Sequence, residues 1–402
     1  MINGKHISVA KRTEGVDEYY FSRKLAEVRA LSKNEYPVIN LGIGNPDLPP
    51  PDEVIDALTV SARNPMHHGY QSYTGIAALR EAMAAFTLRF YGYRPDAESE
   101  VLPLIGSKEG IVHISLAFLN EGDEVLVPDP GYPAYAAAAK LAGAVVKSYP
   151  ISDAVSPVDI DALRNQDLTR VKLMWINFPH MPTGRTCNRE VLKELVALAR
   201  EKKFLIVNDN AYALIRNAEP ISLFSVAGAD EVGMELNSLS KSHNMAGWRL
   251  GWVTARSEFI RQILRVKSNM DSGMFLPVQH AAVAALQIHD SWFVRQNEIY
   301  HQRSQKIYQM LKELNCTWSA GQAGLFVWAR LPERVNDKDF IDELLYGARV
   351  FITPGSIFGD NGRGYIRISL CAPEEKIDEA IQRIRKWKQQ AVLHPESITV
   401  KS

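Results

Sequence analysis

Asn237-Ser238-Leu239-Ser240-Lys241-Ser242-His243-Asn244-Met245-Ala246-Gly247-Trp248-Arg249 places one lysine between two apolar runs. Residues 232 to 239 lead into it and read as a strand. Gly247-Trp248-Arg249-Leu250-Gly251-Trp252-Val253 leaves it and reads as another. The lysine has small hydroxyl residues on both sides, and an arginine follows eight positions later. A lysine on a tight turn with serines before it and an arginine close behind suits an imine to an aldehyde, beside a phosphate pocket. The arginine fork and the hydroxyls are the groups that hold a dianion. Two simpler accounts compete. Ser238 and Lys241 form an SxxK string, as in serine acyl-enzymes, but the S-D-N and K-T-G elements of that class are absent. The other account is a solvated surface loop, which only the rest of the chain can weigh.

The chain has 402 residues, with 46 basic and 46 acidic side chains. That balance offers no electrostatic footprint for nucleic acid or an anionic membrane. Hydrophobic content of 46% and charged content of 23% are those of a globular protein. Three scattered cysteines, Cys187, Cys316 and Cys371, make no CxxC pair, so neither a zinc ribbon nor a disulfide framework is expected. Residues 1 to 15 lack the apolar core of a signal peptide, and no window approaches the ~20 apolar residues of a membrane span. A cytoplasmic protein is expected.

Upstream of the lysine, residues 17 to 34 alternate as a helix. Val38-Ile39-Asn40-Leu41 then runs as a strand into Gly42-Ile43-Gly44-Asn45-Pro46-Asp47. The Gly-x-Gly is not a dinucleotide fingerprint, because its third glycine is missing and Pro46, Pro49, Pro50 and Pro51 stand where a helix should begin. Such a turn can still offer backbone N–H groups to a carboxylate. His67-His68-Gly69-Tyr70-Gln71-Ser72-Tyr73 reads as a polar, aromatic loop. Its paired histidines lack further metal ligands at a suitable spacing. The helix 76 to 90 follows.

Val101-Leu102-Pro103-Leu104-Ile105 enters Gly106-Ser107-Lys108 and a helix to Leu119: strand, tight turn, helix N-terminus. That arrangement suits a phosphate, although for this stretch taken alone an ordinary cap by Ser107 is the better reading. The strand 124 to 128 precedes Asp129-Pro130-Gly131-Tyr132-Pro133, where Tyr132 reads either as core or as a flat platform for a ring. The strand 172 to 177 ends in Phe178-Pro179-His180-Met181-Pro182-Thr183-Gly184. After the amphipathic helix 190 to 202, Phe204-Leu205-Ile206-Val207 brings Asp209 and Tyr212 to a strand's carboxyl end. Ligands of open α/β sheets sit there, so Asp209 is either a partner for a ring nitrogen or a helix cap. This strand–helix alternation argues a mostly parallel sheet.

Helices are expected over 273 to 286 and 290 to 314, and then the pattern changes. Strands at 324 to 329, 350 to 353 and 365 to 370, with helices at 337 to 346 and 374 to 390, read as a second, smaller α+β unit. Arg367 points to the opposite face from Ile366 and Ile368, toward either a structural or a substrate carboxylate.

In this order these motifs resemble the fold-type I, pyridoxal-phosphate-dependent aminotransferases of class I/II, from about Tyr36 to Trp387. Leu41 to Asp47, Leu104 to Glu109 with Asp129 to Pro133, and Met270-Asp271-Ser272-Gly273-Met274-Phe275 look closest to the LL-diaminopimelate aminotransferase branch. The resemblance implies an α/β fold with a seven-stranded-type, mostly parallel sheet between helices. It implies a large domain over 49–288 and a small one from 1–48 with 289–402. It implies pyridoxal 5′-phosphate bound covalently to Lys241, which also moves protons in catalysis. Asp209 would pair with the ring nitrogen, Tyr212 with the ring O3′, and Tyr132 would stack on the ring face. Ser107, the Lys108 N–H, Ser238 and Arg249 would hold the phosphate, with Ser240 and Asn177 also among the cofactor-binding residues. Tyr70 would reach the phosphate of a neighbouring subunit in a homodimer. Gly44 and Arg367 would take the substrate α-carboxylate.

One position departs from the family. The usual string is Asn-Pro-Thr-Gly, whose Asn donates to O3′; here it is Met181-Pro182-Thr183-Gly184, and a thioether cannot donate. The activity implied is amino transfer between an amino acid and a 2-oxo acid. The rival reactions on the same fold are β-lysis, racemisation and decarboxylation. A ligand-sensing module is the remaining alternative, but the first ~35 residues are too short and too evenly charged for a DNA-binding segment.

Overall fold

The computed structural model describes residues 9–16, 20–33, 36–152 and 156–393, with side chains to residue 390. In chain order the strands are β1 (Ile39–Asn40), β2 (Val101–Leu104), β3 (Glu124–Asp129), β4 (Val145–Pro150), β5 (Val171–Ile176) and β6 (Leu205–Asp209). β7 (Gly233–Ser238), β8 (Gly251–Ala255), β9 (Phe326–Arg330), β10 (Val350–Phe351), β11 (Thr353–Pro354) and β12 (Tyr365–Ser369) follow. Strands β2 to β8 form one seven-stranded sheet in the order β2-β8-β7-β6-β5-β3-β4. Only β8 runs against its neighbours; the other ladders are parallel.

Both faces of this sheet are covered, so its strands are apolar almost throughout. In β5, Leu173 and Trp175 pack with the helices Ser107–Phe118 and Pro133–Leu141. Met174 and Ile176 pack with the helix Arg189–Lys202 on the other side. Strand β4 is not legible in the sequence, because its residues are mostly half-exposed and it sits at the sheet edge. Nor is the helix Asp52–Ala62: the prolines that interrupt the chain stop at its first turn, with Pro51 in the capping position.

The remaining strands form two small sheets, β11-β12-β9 antiparallel and β1-β10 parallel. The strand expected over 350 to 353 is divided at Ile352, one half pairing with β1 and the other with β12. The helix expected over 337 to 346 ends at Glu343 and widens into a π turn over Leu344–Ala348. Of the helix expected over 17 to 34, Tyr20–Leu31 is observed, while residues 17–19 and 34 lie outside the described residues. The long helices Asp290–Glu313 and Glu374–Leu393 pack against each other. Among the described residues, no helix is long and apolar enough to cross a membrane.

Candidate active site

The parallel strands deliver their carboxyl ends to one place. β6 ends on Asp209, which is buried; one carboxylate oxygen, Oδ2, accepts the Tyr135 hydroxyl at 2.9 Å. The other, Oδ1, is buried with no hydrogen-bond donor among the described residues. Burial pushes this carboxyl up from an ordinary 3.8 to about 6, against the opposing pull of Tyr135 and of the Lys241 charge. Asp209 lies inside the strand and caps no helix. Tyr135 is itself fixed by stacking on Trp175, with ring centres 4.9 Å apart and planes 5° from parallel.

β7 ends on Ser238, whose Oγ accepts the Ser240 N–H at 3.1 Å and starts the single turn Leu239–Ser242. That turn aims Lys241 inward, where its Nζ donates to the Gly44 carbonyl at 2.6 Å. The Gly44 turn thus presents a carbonyl to the lysine. Burial lowers the Lys241 ammonium pKa, and the charges of Arg367 and Arg249 act in the same direction. The effect is to favour the neutral, nucleophilic amine.

The helix Ser107–Phe118 opens at Gly106, with φ of 84°. Ser107 is its first helical residue and makes no cap bond, so the cap expected of Ser107 is not formed. A Cβ on Gly106 would lie 2.2 Å from Nη2 of Arg249, so glycine lets the guanidinium lie directly over the helix start. Arg249 is held there in a left-handed conformation, φ 56°, and donates to the Ala246 carbonyl at 2.8 Å. Helix N–H groups and a guanidinium on one spot make an anion site. Burial, then the Arg249 charge, lowers the Lys108 ammonium pKa.

At the opposite side, β12 supplies Arg367. Its Nη2 donates to the Gly42 carbonyl at 2.8 Å, and its Nη1 meets the Met181 sulfur at 3.2 Å. The guanidinium lies 3.9 Å from the Phe326 ring centre and 4.7 Å from that of Phe358. Asn177 joins the two halves through the backbone: its Nδ2 donates to the Asp209 carbonyl, and its Oδ1 accepts the Met181 N–H at 2.8 Å.

A cavity of 490 Å³ gathers Gly44, Ser107, Lys108, Tyr132, Asn177, Asp209, Tyr212, Ser238, Ser240, Lys241, Arg249 and Arg367. Tyr70 does not line it; it stands on the surface, 92% exposed. Sequence reading misses Tyr135, Phe21 and Phe326, which also line the cavity. Tyr135 has one available signal, its place in the first turn of the helix behind Tyr132. The histidines of the 67–68 pair bond Ser61, Asn64 and the Ala62 carbonyl.

A half-buried lysine sharing a cavity with a buried carboxylate and a guanidinium-covered helix start, at the carboxyl ends of a mostly parallel sheet, defines a fold-type I aminotransferase. The model of the aminotransferase class I and II family matches residues 36–384, and the chain belongs to that family. It is 38% identical over 382 residues to the LL-diaminopimelate aminotransferase of Oleidesulfovibrio alaskensis, covering 94% of this chain and 98% of that one. It is 39% identical over 383 residues to the protein of the same name from Moorella thermoacetica, covering 94% and 97%. Among solved structures it is similar to substrate-bound BacF from Bacillus subtilis, with a TM-score of 0.90 and 33% identity, covering 95% and 98%.

Proposed function

We propose that this aminotransferase uses pyridoxal 5′-phosphate, works as a cytoplasmic homodimer, and cycles between an amino acid donor and a 2-oxo acid acceptor. The observation that carries the reading is the buried Oδ1 of Asp209, which lacks a donor among the described residues. It lines the same cavity as Lys241 and the anion site under Arg249. A protonated ring nitrogen supplies the missing donor, an aldehyde suits the buried amine, and a phosphate suits the helix start.

The bound cofactor would act as an electron sink for the substrate's α-carbon. The chain's residues do the rest. Ser107, the Lys108 N–H, Ser238, Ser240 and Arg249 anchor the phosphate end. Asp209 keeps the ring nitrogen protonated, Tyr132 covers the ring face, and Tyr212 donates to O3′. Asn177 sets the spacing of Asp209 and Met181 through their backbones. Lys241 Nζ would be the base that moves the proton at the substrate's α-carbon. Arg367 and the Gly44 turn hold the α-carboxylate. We take 49–288 as the cofactor-holding domain and 1–48 with 289–402 as the smaller one. Met66, Tyr70, Met270 and Phe275 are exposed, and a second copy would cover them, with Tyr70 reaching the partner's phosphate.

Incubation with single amino acids, LL-diaminopimelate and glutamate among them, tests the reaction. Accumulation of the cofactor in its amine form supports transamination. Pyruvate and ammonia from a donor with a β leaving group would favour β-lysis instead.

Two substitutions probe the carboxylate end. Arg367→Lys should lower kcat/KM by about 10- to 100-fold, mostly through KM, because an ammonium cannot reproduce the planar two-pronged grip. Initial rates across donor concentrations check this; an unchanged KM would remove Arg367 from carboxylate binding. At position 181 the thioether leaves O3′ with one donor fewer, so the proton shared with Lys241 is held more tightly. Met181→Asn should therefore lower the midpoint of the visible-absorbance titration of the lysine-bound chromophore, by about one pH unit. A midpoint that stays put or rises would contradict the argument.

A further inference from the structure

Outside the cavity lies a partly buried ionic cluster that the chemistry above does not use. Lys267, 1% exposed, donates to Asp271 at 2.6 Å. Ligating atoms of Glu109, His113 and Asp271 all lie within 4.8 Å of one another. The Lys267 ammonium already supplies the cation this group of carboxylates needs, so the cluster is a structural joint and not a metal centre. Its members come from two places. Glu109 and His113 belong to the helix Ser107–Phe118, where Glu109 accepts the Ile105 N–H and lies 2.9 Å from His113 Nε2. Asp271 belongs to the loop after the helix Ser257–Lys267, and its Oδ1 accepts the Gly273 N–H at 2.8 Å.

This loop is the platform for the Tyr70 loop. Gly273 has φ of 81°, and a Cβ there would lie 2.4 Å from the Gln71 carbonyl oxygen. Buried Gln279 ties the two loops again, donating to the Met274 carbonyl at 2.7 Å and accepting the Ile76 N–H at 2.8 Å. Loss of the Asp271 carboxylate would free the loop at Gly273 while leaving Glu109 its bond from the Ile105 N–H. Its effect should therefore fall on Tyr70 more than on the phosphate-facing helix of its own subunit.

We propose that Asp271 is a positioning residue that acts in trans: through Gly273 and the Tyr70 loop it sets the cofactor phosphate site of the partner subunit. This rests on the homodimer reading above. Hybrid dimers built from differently tagged chains separate the cases. Lys241→Ala removes chromophore formation from one site, so titration with pyridoxal 5′-phosphate reports only the other. In the first hybrid, one chain carries Lys241→Ala and the other Asp271→Ala, which removes the acceptor of the Gly273 N–H; the reporting site receives its Tyr70 from an intact loop and should bind like wild type. In the second, one chain carries both substitutions and the other neither. Its reporting site receives Tyr70 from the altered loop and should bind about tenfold more weakly, the size of one lost phosphate hydrogen bond.

The reverse pattern, or equal affinity in both hybrids whether weak or strong, overturns the proposal. Gly273→Ala, which presses on Gln71 directly, replaces Asp271→Ala if that variant does not fold, with the same two outcomes. Tyr70→Phe placed in the second hybrid tests the dimer reading by itself. If it weakens binding and Asp271→Ala does not, only the present inference fails. If Tyr70→Phe has no effect in trans, both fall.

Discussion

Lys241→Ala is expected to abolish turnover, by at least about 10⁴-fold, and to leave no cofactor attached after borohydride treatment of the holo-protein. The two readouts belong together because, on the proposed reading, one nitrogen serves both purposes. Burial favours the neutral amine that can attack an aldehyde, and the same amine is the base the substrate's Cα proton needs. Alanine removes a single hydrogen bond, to the Gly44 carbonyl, together with an ammonium that burial already disfavours. The fold should therefore persist, and an unchanged near-ultraviolet circular dichroism spectrum of the apo-protein would show it. Borohydride-fixed cofactor on the alanine variant, or wild-type chain left unlabelled, would end the assignment.

Asp209→Asn should lower kcat by about 10²- to 10³-fold, the range for removing a preorganised electrostatic partner from a closed site. A neutral amide cannot hold the ring nitrogen protonated, so the ring draws electrons less strongly. The substitution also carries a stability signature independent of activity. The folded apo chain releases the Asp209 proton at about 6, the unfolded chain near 3.8. Between those values the folded state holds a proton that the unfolded state has lost, so this group's contribution to stability falls as pH rises through the window. Above pH 6 the full cost remains, on the order of 3 kcal/mol. The Asp209→Asn variant, still able to accept the Tyr135 hydroxyl, should be the more stable apo-protein at pH 7, and the difference should vanish below about pH 4. Paired urea titrations at pH 4 and pH 7 measure it; an apo Asp209→Asn variant less stable than wild type at pH 7 would mean that Oδ1 is satisfied already.

The elements that build the site are legible because their signals are local. β5 and β6 are short apolar runs with β-branched residues, β7 leads into the lysine turn, and the glycine before Ser107 marks a turn into a helix. Where reading fails, the deciding contact is distant. β4 carries too little apolar pattern by itself and exists as a strand through its ladder with β3. The run at 350 to 353 looks continuous, yet two different partners divide it at Ile352. Tyr135 looks like one more apolar helix residue until Asp209, 74 residues away, comes within 2.9 Å of its hydroxyl.

By itself, then, the sequence determined which side chains sit at strand ends and turns, and in what order, since periodicity and turn chemistry act over a few neighbouring residues. Tertiary structure alone decided which of their atoms are already engaged. It put Arg249 over Gly106, set the Met181 sulfur against Arg367, and left Asp209 Oδ1 buried without a donor among the described residues. It also kept Tyr70 outside its own cavity, on a loop resting against Gly273. Those outcomes depend on segments brought together by burial of the two faces of the sheet, and no window of neighbouring residues contains them.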